Sequence, residues 1–292
     1  MVTSETINQT AQCVACGGKL ALFGPRLQYE YHRCIQCGTI QLYPLPSRTE
    51  LERAYAAEYA TAGHYEGNAD LCRWSARTYY QGIARAMKDF HAQGLVVDYG
   101  AGWGGLCELL LTEGFQVHGV EPSDMMAAYC RKRGLPVQHG DLRTLQANEG
   151  QIGAFALNAV FEHLVEHDIW LEDAYRLLAP RGLFVTLQPT APFANFMGRL
   201  VRFGNLRTPL PALHQFFWPP WHTVFFSLTG MKELMVKHGF DLQDVRPAPQ
   251  GRVRGLMGVA QITLETVNRV GWKIIGRSWP LLTAHTFVFR KK

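Results

Sequence analysis

Between positions 95 and 188 short apolar runs of strand length recur, each separated from the next by a longer segment. The runs fall at Val96 and Val97, at 117–120, near 136–138, at 154–158 and at 183–186. Apolar strands spaced by crossover-length segments predict a mainly parallel sheet covered by helices. Upstream, Leu71, Trp74, Tyr79, Ile83, Met87 and Phe90 return at helical intervals and predict a long helix over 70–91 with that stripe toward the core. A shorter helix is expected over 49–59, capped by Ser47 or Thr49, with Glu50 and Glu52 in its first turn; 63–68 breaks it. Downstream, 228–238 reads as a helix stopped by Gly239, followed by strands at 240–245 and 283–290. Near the N-terminus three strand-like pieces at 19–23, 28–33 and 39–43 predict a small β unit, with 44–47 as a linker.

Two stretches break the alternation. Residues 189–227 hold seven phenylalanines, Trp218, Trp221 and repeated prolines, and follow the fifth core strand at the sheet edge where ligands bind in such folds. This stretch is read as an acceptor lid. Residues 246–282 carry Val259, Leu264, Val267, Val270 and Ile274 at helical spacing, among Arg252, Arg254, Arg269, Lys273 and Arg277. That inserted segment is expected to be a helix packed on the lid as core; a helix lying on a membrane surface is the alternative.

At 292 residues and 47% hydrophobic content the chain can bury a large core. No apolar run reaches the roughly 18 residues of a membrane span. The first dozen residues lack an apolar signal core, so a cytoplasmic location is expected, with peripheral contact at the inner membrane surface left open. The net charge of +5 is unevenly placed: residues 1–188 carry 15 Lys and Arg against 20 Asp and Glu, and residues 189–292 carry 14 against 4. A basic C-terminal third fits nucleic acid, an anionic lipid surface or a plain solvated face.

Four of the seven cysteines form two C-x2-C pairs, Cys13 with Cys16 and Cys34 with Cys37, each followed by glycine and 17 residues apart. This is zinc-ribbon spacing. Four thiolates close a tetrahedron, so a Zn2+ held there would be structural. Cys72, Cys107 and Cys130 are expected to be buried thiols.

The most informative stretch is Asp98-Tyr99-Gly100-Ala101-Gly102-Trp103-Gly104-Gly105, directly after Val96-Val97. An acid ends a strand, glycine falls at every second position, and a helix is expected to open at about Trp103. Glycine is needed where φ is positive or where a ligand touches backbone, and a helix N-terminus offers free N–H groups. Glu121 ends the next strand 19 residues after Gly102, where an acid can grip a ribose diol. Gly140-Asp141 follows the third strand, and Asn158 is followed by Phe161-Glu162-His163-Leu164.

This ordered set, over roughly 69–188, resembles the class I S-adenosylmethionine (SAM) dependent methyltransferases. The resemblance implies an α/β fold: a Rossmann-like seven-stranded sheet, with a small N-terminal zinc ribbon at 1–46 and the methyltransferase domain at 47–292. It implies that Gly100, Ala101 and Gly102 hold the methionine part of SAM, that Asp98 orients the turn and the SAM amino group, that Glu121 with Pro122 holds the ribose, and that Asp141 meets the adenine. Asn158 and Tyr79 are expected beside the donor or acceptor. His163, with Glu162 next to it, and His222 of the lid are the candidate bases for an acceptor hydroxyl or acidic carbon; each also has a purely structural alternative.

Absence of an Asn-Pro-Pro-Tyr-type motif after strand four disfavours methylation of DNA amino groups. A zinc ribbon ahead of such a core is similar to sugar C-methyltransferases, whose further C-terminal domain is missing here, and to some rRNA guanine methyltransferases. The expected acceptor is a small molecule, sugar or glycolipid of a biosynthetic pathway, methylated at a hydroxyl or activated carbon. An RNA methyltransferase and a SAM-binding accessory protein are the alternatives.

Overall fold

The structure, a computed structural model, describes residues 12–61, 66–204 and 216–292. Its main sheet has seven strands, numbered here in chain order: β4 (Leu95–Tyr99), β5 (Gln116–Glu121), β6 (Val137–His139), β7 (Ile152–Asn158), β8 (Leu178–Pro189), β10 (Phe240–Pro247) and β11 (Ala284–Lys291). Their order is β10-β11-β8-β7-β4-β5-β6. Strands β4 to β8 pair in parallel; β11 lies antiparallel to both β8 and β10. The expected Rossmann-like sheet with an antiparallel last strand is therefore present.

Alternation along β4 shows why the run is apolar throughout. Val96 packs with Ile83 and Met87 of α2 (Ala69–Asp89) and Leu106 of α3 (Gly105–Thr112). Val97 faces the opposite layer, with Phe155, Trp170 and Leu171 of α5 (His167–Leu177) and Phe184. A central strand covered on both sides has no polar face to offer. From β4 the chain builds outward to β5 and β6, then returns to β7 on β4's other side. The carboxyl ends of β4 and β7 thus form the crevice where strand order reverses.

The stripe expected on α2 is only partly buried. Ile83 and Met87 are core, but Leu71 is exposed and Trp74 lies under the Arg254 guanidinium instead. Helical spacing defines a face but not how far a neighbour extends along it.

The cysteine-bearing segment forms β1 (Leu20–Arg26), β2 (Tyr29–Cys34) and β3 (Ile40–Leu42). Its sheet is completed by a strand from far downstream: β9 (Val224–Phe225) pairs antiparallel with β3, Ile40 opposite Phe225. Without it, β3 would present an unpaired edge. Tyr31, Ile40, Leu42 and Phe225 share one small core with Ala191 and Ala194 of α6 (Ala191–Gly204). A continuous sheet therefore crosses the boundary expected at residue 46. The lid divides into α6, a middle part outside the described residues, and 216–227, which joins the ribbon. Helix α7 (Leu228–Lys237) follows, capped by Ser227.

The inserted segment does form a helix, α8 (Leu256–Ile275), preceded in the chain by α1 (Arg48–Thr61) and α4 (Asp124–Lys132) among the others. Its packing contradicts the expected core role: Val259, Val267, Val270 and Ile274 are solvent-exposed.

Candidate active site

A cavity of about 650 Å³ opens at the carboxyl ends of β4, β5 and β7. On one side the turn after β4 lines it with Asp98, Gly100, Ala101, Gly102 and Trp103. Gly100 has φ +74° and Gly102 φ +53°. A Cβ on Gly100 would stand 2.5 Å from Val160, whereas one on Gly102 would meet nothing within 4 Å. The first glycine is required by close packing. The second faces the open cavity, where backbone can touch a ligand.

Glu121 ties the turn together. Its Oε2 accepts from Gly102 N at 2.7 Å and its Oε1 from Ser123 N at 2.8 Å. Each oxygen retains a second lone pair, and Glu121 and Pro122 both line the cavity. Asp98 is fully buried; burial first, and the neighbouring Glu121 charge second, push its carboxyl up to about 7. Asp98 Oδ2, Asn158 Oδ1, Trp103 Nε1 and Trp221 Nε1 are buried and find no hydrogen-bond partner among the described residues, yet all four residues line this cavity. Buried polar atoms are nearly always paired, so this concentration marks a place shaped for a polar ligand.

On the opposite side His163 closes the cavity. Its Nδ1 lies 2.5 Å from the Tyr55 hydroxyl on α1, and its Nε2 lies 3.8 Å from Glu162 Oε1. Its ring stands edge-on to that of His222, with centroids 5.1 Å apart. His222 Nδ1 lies 2.7 Å from the Phe216 carbonyl, which fixes the ring. Burial lowers both histidines below the usual imidazole value; for His163 the His222 ring adds to this. Burial pushes Glu162 up to about 8, and neither of its oxygens has a partner among the described residues. At neutral pH this is a neutral carboxyl beside two neutral imidazoles, a set suited to accepting and passing a proton. Glu162, His163 and His222 also bring ligand atoms within 4.8 Å of one another, a set able to hold a cation.

Four residues expected at the site do not line the cavity: Glu162, which is fully buried, and His222 both lie against His163, while Asp141 and Tyr79 lie elsewhere. Asp141 does not line the cavity; Arg143 Nη2 at 2.6 Å and Arg48 Nη2 at 3.0 Å engage its carboxylate and hold it down at about 2. Tyr79 packs against Gly251 outside the cavity, and its neighbour Tyr80 lines the wall instead. One residue along a helix rotates a side chain by about 100°, which is the whole of that difference. Tyr55, Trp218 and Trp221 also line the cavity; the two tryptophans belong to the stretch read as an acceptor lid, whereas no sequence signal joined Tyr55 to the site.

The lid is pinned over this site. Thr223 Oγ1 lies 2.8 and 2.7 Å from the Glu162 and Leu164 carbonyls, which share its one proton, and Thr223 N donates to the Glu162 carbonyl at 3.0 Å. The Tyr31 hydroxyl of β2 donates to the His222 carbonyl at 2.8 Å. His222 is thereby positioned by the cysteine-bearing sheet.

In that sheet Cys13, Cys16, Cys34 and Cys37 gather their sulfurs within 4.8 Å, with Cys13–Cys37 at 3.7 Å and Cys16–Cys34 at 3.5 Å. Sulfurs about 2.3 Å from a tetrahedral zinc stand about 3.8 Å apart, so the donor set and its spacing fit that ion. None of the four is in a disulfide. Backbone N–H groups of Ala15 and Cys37 point at Cys13 and Cys34 Sγ, and neighbouring donors hold Cys37 down at about 4.

A sequence model described as a methyltransferase domain matches residues 70–245. A probable S-adenosylmethionine-dependent methyltransferase of Mycolicibacterium smegmatis is 24% identical over 151 residues, 51% of this chain and 52% of that protein. The chain spans about half the length of this curated relative. Among solved structures, a 1,6-didemethyltoxoflavin-N1-methyltransferase of Burkholderia thailandensis, bound to 1,6-didemethyltoxoflavin and S-adenosylhomocysteine, is similar with a TM-score of 0.54 at 14% identity, covering 93% of this chain and 99% of that one. A SAM-dependent methyltransferase from Archaeoglobus fulgidus has a TM-score of 0.50 at 15% identity, covering 82% and 99%. At such identities these two show the shared fold. The family match extends over more than half of the chain and includes the glycine turn, Glu121 and the Glu162-His163 element, so the chain belongs to the class I SAM-dependent methyltransferases.

Proposed function

We propose that this chain transfers a methyl group from SAM to a small organic acceptor, at a hydroxyl or an activated carbon. One observation carries the reading: the glycine turn and His163 line a single cavity, and Glu162 and His222 bring their polar atoms within 4.8 Å of His163. The proposed donor contacts are Asp98, Gly100, Ala101, Gly102, Glu121, Pro122 and Asn158; Asp141 and Tyr79 are not among them. Methyl transfer from a sulfonium is an in-line displacement. The acceptor's electron pair forms the new bond to carbon while sulfur keeps the pair of the old one, so alignment does most of the work. The acceptor's proton passes to His163 Nε2 or His222 Nε2. Zn2+ held by the four cysteines would brace the sheet that positions His222 and would take no part in the transfer.

Trp218 and Trp221, with ring centroids 4.8 Å apart, suit a flat or apolar acceptor. The Burkholderia relative is named for a small acceptor of that kind. A sugar or glycolipid acceptor is the finer reading. RNA fits less well, because phosphates need cations, and no lysine or arginine among the described residues lines the cavity.

Transfer of labelled methyl from SAM to fractionated cell extract tests the proposal. Label is expected among metabolites or lipids, and it should be lost with His163→Ala or Glu121→Ala. Label in RNA would replace the acceptor class. SAM binding with no labelled fraction would favour an accessory protein.

A further inference from the structure

Helix α8 is amphipathic in the wrong sense for a packed element. At 100° per residue, Gln261, Glu265, Asn268 and Trp272 fall on one face, and that face meets the protein. Asn268 is buried and its Oδ1 accepts from Trp279 Nε1 at 2.9 Å, and the Trp272 ring packs 5.4 Å from His285. The opposite face is turned outward and presents an apolar ridge beside Thr263, Thr266 and Lys273: Val259 is 62% exposed, Ile262 67%, Val270 50% and Ile274 78%. Burying polar groups while leaving a β-branched ridge in water is costly for a surface helix without a partner.

Charge identifies the partner. Arg269 and Lys273 are exposed beside the ridge, Arg277 follows just beyond it, and Arg254 is exposed ahead of its first turn. The helix contains one acid, Glu265, which is turned to the inner face and paired with Arg269 at 2.6 Å. An apolar ridge bordered by cations complements an anionic lipid surface. A second copy docked ridge to ridge would set these cations against themselves, with no acid on the face to meet them. No helix among the described residues is long and apolar enough to cross a membrane, and α8, about 30 Å long, would lie in the plane of the interface.

We propose that α8 is a membrane-surface anchor, which seats Val259, Ile262, Val270 and Ile274 below the headgroups while Arg269 and Lys273 contact anionic lipid. The proposal is independent of the acceptor's identity and of methyl transfer.

Vesicle co-sedimentation of the full chain tests it, with phosphatidylcholine alone and with an equal mixture of phosphatidylcholine and phosphatidylglycerol, at 0.1 and 0.5 M salt. Binding to the mixed vesicles at low salt is expected, at least tenfold tighter than to phosphatidylcholine or at high salt. The I262E/V270E pair should abolish it, and R269Q/K273Q should weaken it about fivefold per cation. All four side chains are in solvent, so the variants' melting curves and SAM binding should match the parent's. Failure to bind mixed vesicles, or binding indifferent to I262E/V270E, would overturn the proposal. Self-association that I262E/V270E dissolves, without vesicle binding, would overturn it in favour of a second copy.

Discussion

At the scale of single residues, the two turn glycines serve different ends, and substitution separates them. Alanine at 102 meets open space, so Gly102→Ala costs only the positive-φ strain of about 1–2 kcal/mol. Its methyl would point where the donor sits, and SAM affinity should fall at least tenfold by calorimetry. Alanine at 100 adds a contact of 2.5 Å with Val160, so Gly100→Ala should lower the melting temperature well beyond the Gly102 variant. Equal melting losses with unchanged SAM affinity would contradict this division. Glu162 makes a second prediction. The unfolded carboxyl ionises near the ordinary glutamate value of 4.5 and the folded one near 8. Between these pH values the folded state holds the extra proton, so stability from this group is full below about pH 4.5 and is lost as pH rises through 8. Glu162→Gln cannot ionise, so its stability relative to the parent should rise across that window, by about 4 kcal/mol at pH 8. Parallel stability curves for parent and variant in chemical denaturation would refute it.

At the scale of elements, the cysteine-bearing sheet and the lid behave as one unit. Strand β9 pairs with β3, and the Tyr31 hydroxyl holds the His222 carbonyl. Gly230 at the start of α7 leaves no room for a side chain between Thr39 and Cys37. A disturbance at the cysteines should therefore reach His222 without touching the donor turn. Elemental analysis is expected to find one zinc per chain. Cys13→Ser should release it, and a sheet this small should then lose its order. Tyr31→Phe is the milder probe, since it leaves one buried carbonyl short of a donor, at a cost of about 1–3 kcal/mol. Both variants should retain SAM binding while methyl transfer falls, by roughly tenfold for Tyr31→Phe. Loss of SAM binding in step with transfer would show that the two halves of the site are not separable in this way.

At the scale of the whole molecule, charge and shape divide the labour. The acidic first 188 residues build the five parallel strands and the donor turn, and the basic remainder supplies residues 216–227, α8 and the two antiparallel strands β10 and β11. The cavity is walled by aromatic, aliphatic and acidic side chains, with no lysine or arginine among the described residues, while exposed Arg and Lys gather along α8. The fold class was legible in the sequence because its signals are local. An apolar run, a glycine at positive φ, an acid at a strand end and two C-x2-C knuckles each act within a few residues, and their order along the chain is the order of the family's elements. What bridges distant segments was not legible. His163 and His222 are brought ring to ring by the Thr223 bonds, Tyr55 reaches His163 from α1, and Arg48 engages Asp141. Spacing along the chain does not encode which surfaces meet. The same limit governs α8: periodicity determined that an apolar face exists. Only the tertiary structure decided that it looks outward, because Trp272 packs on His285 of the main sheet and Asn268 is buried against Trp279, whereas the β-branched ridge is left in solvent.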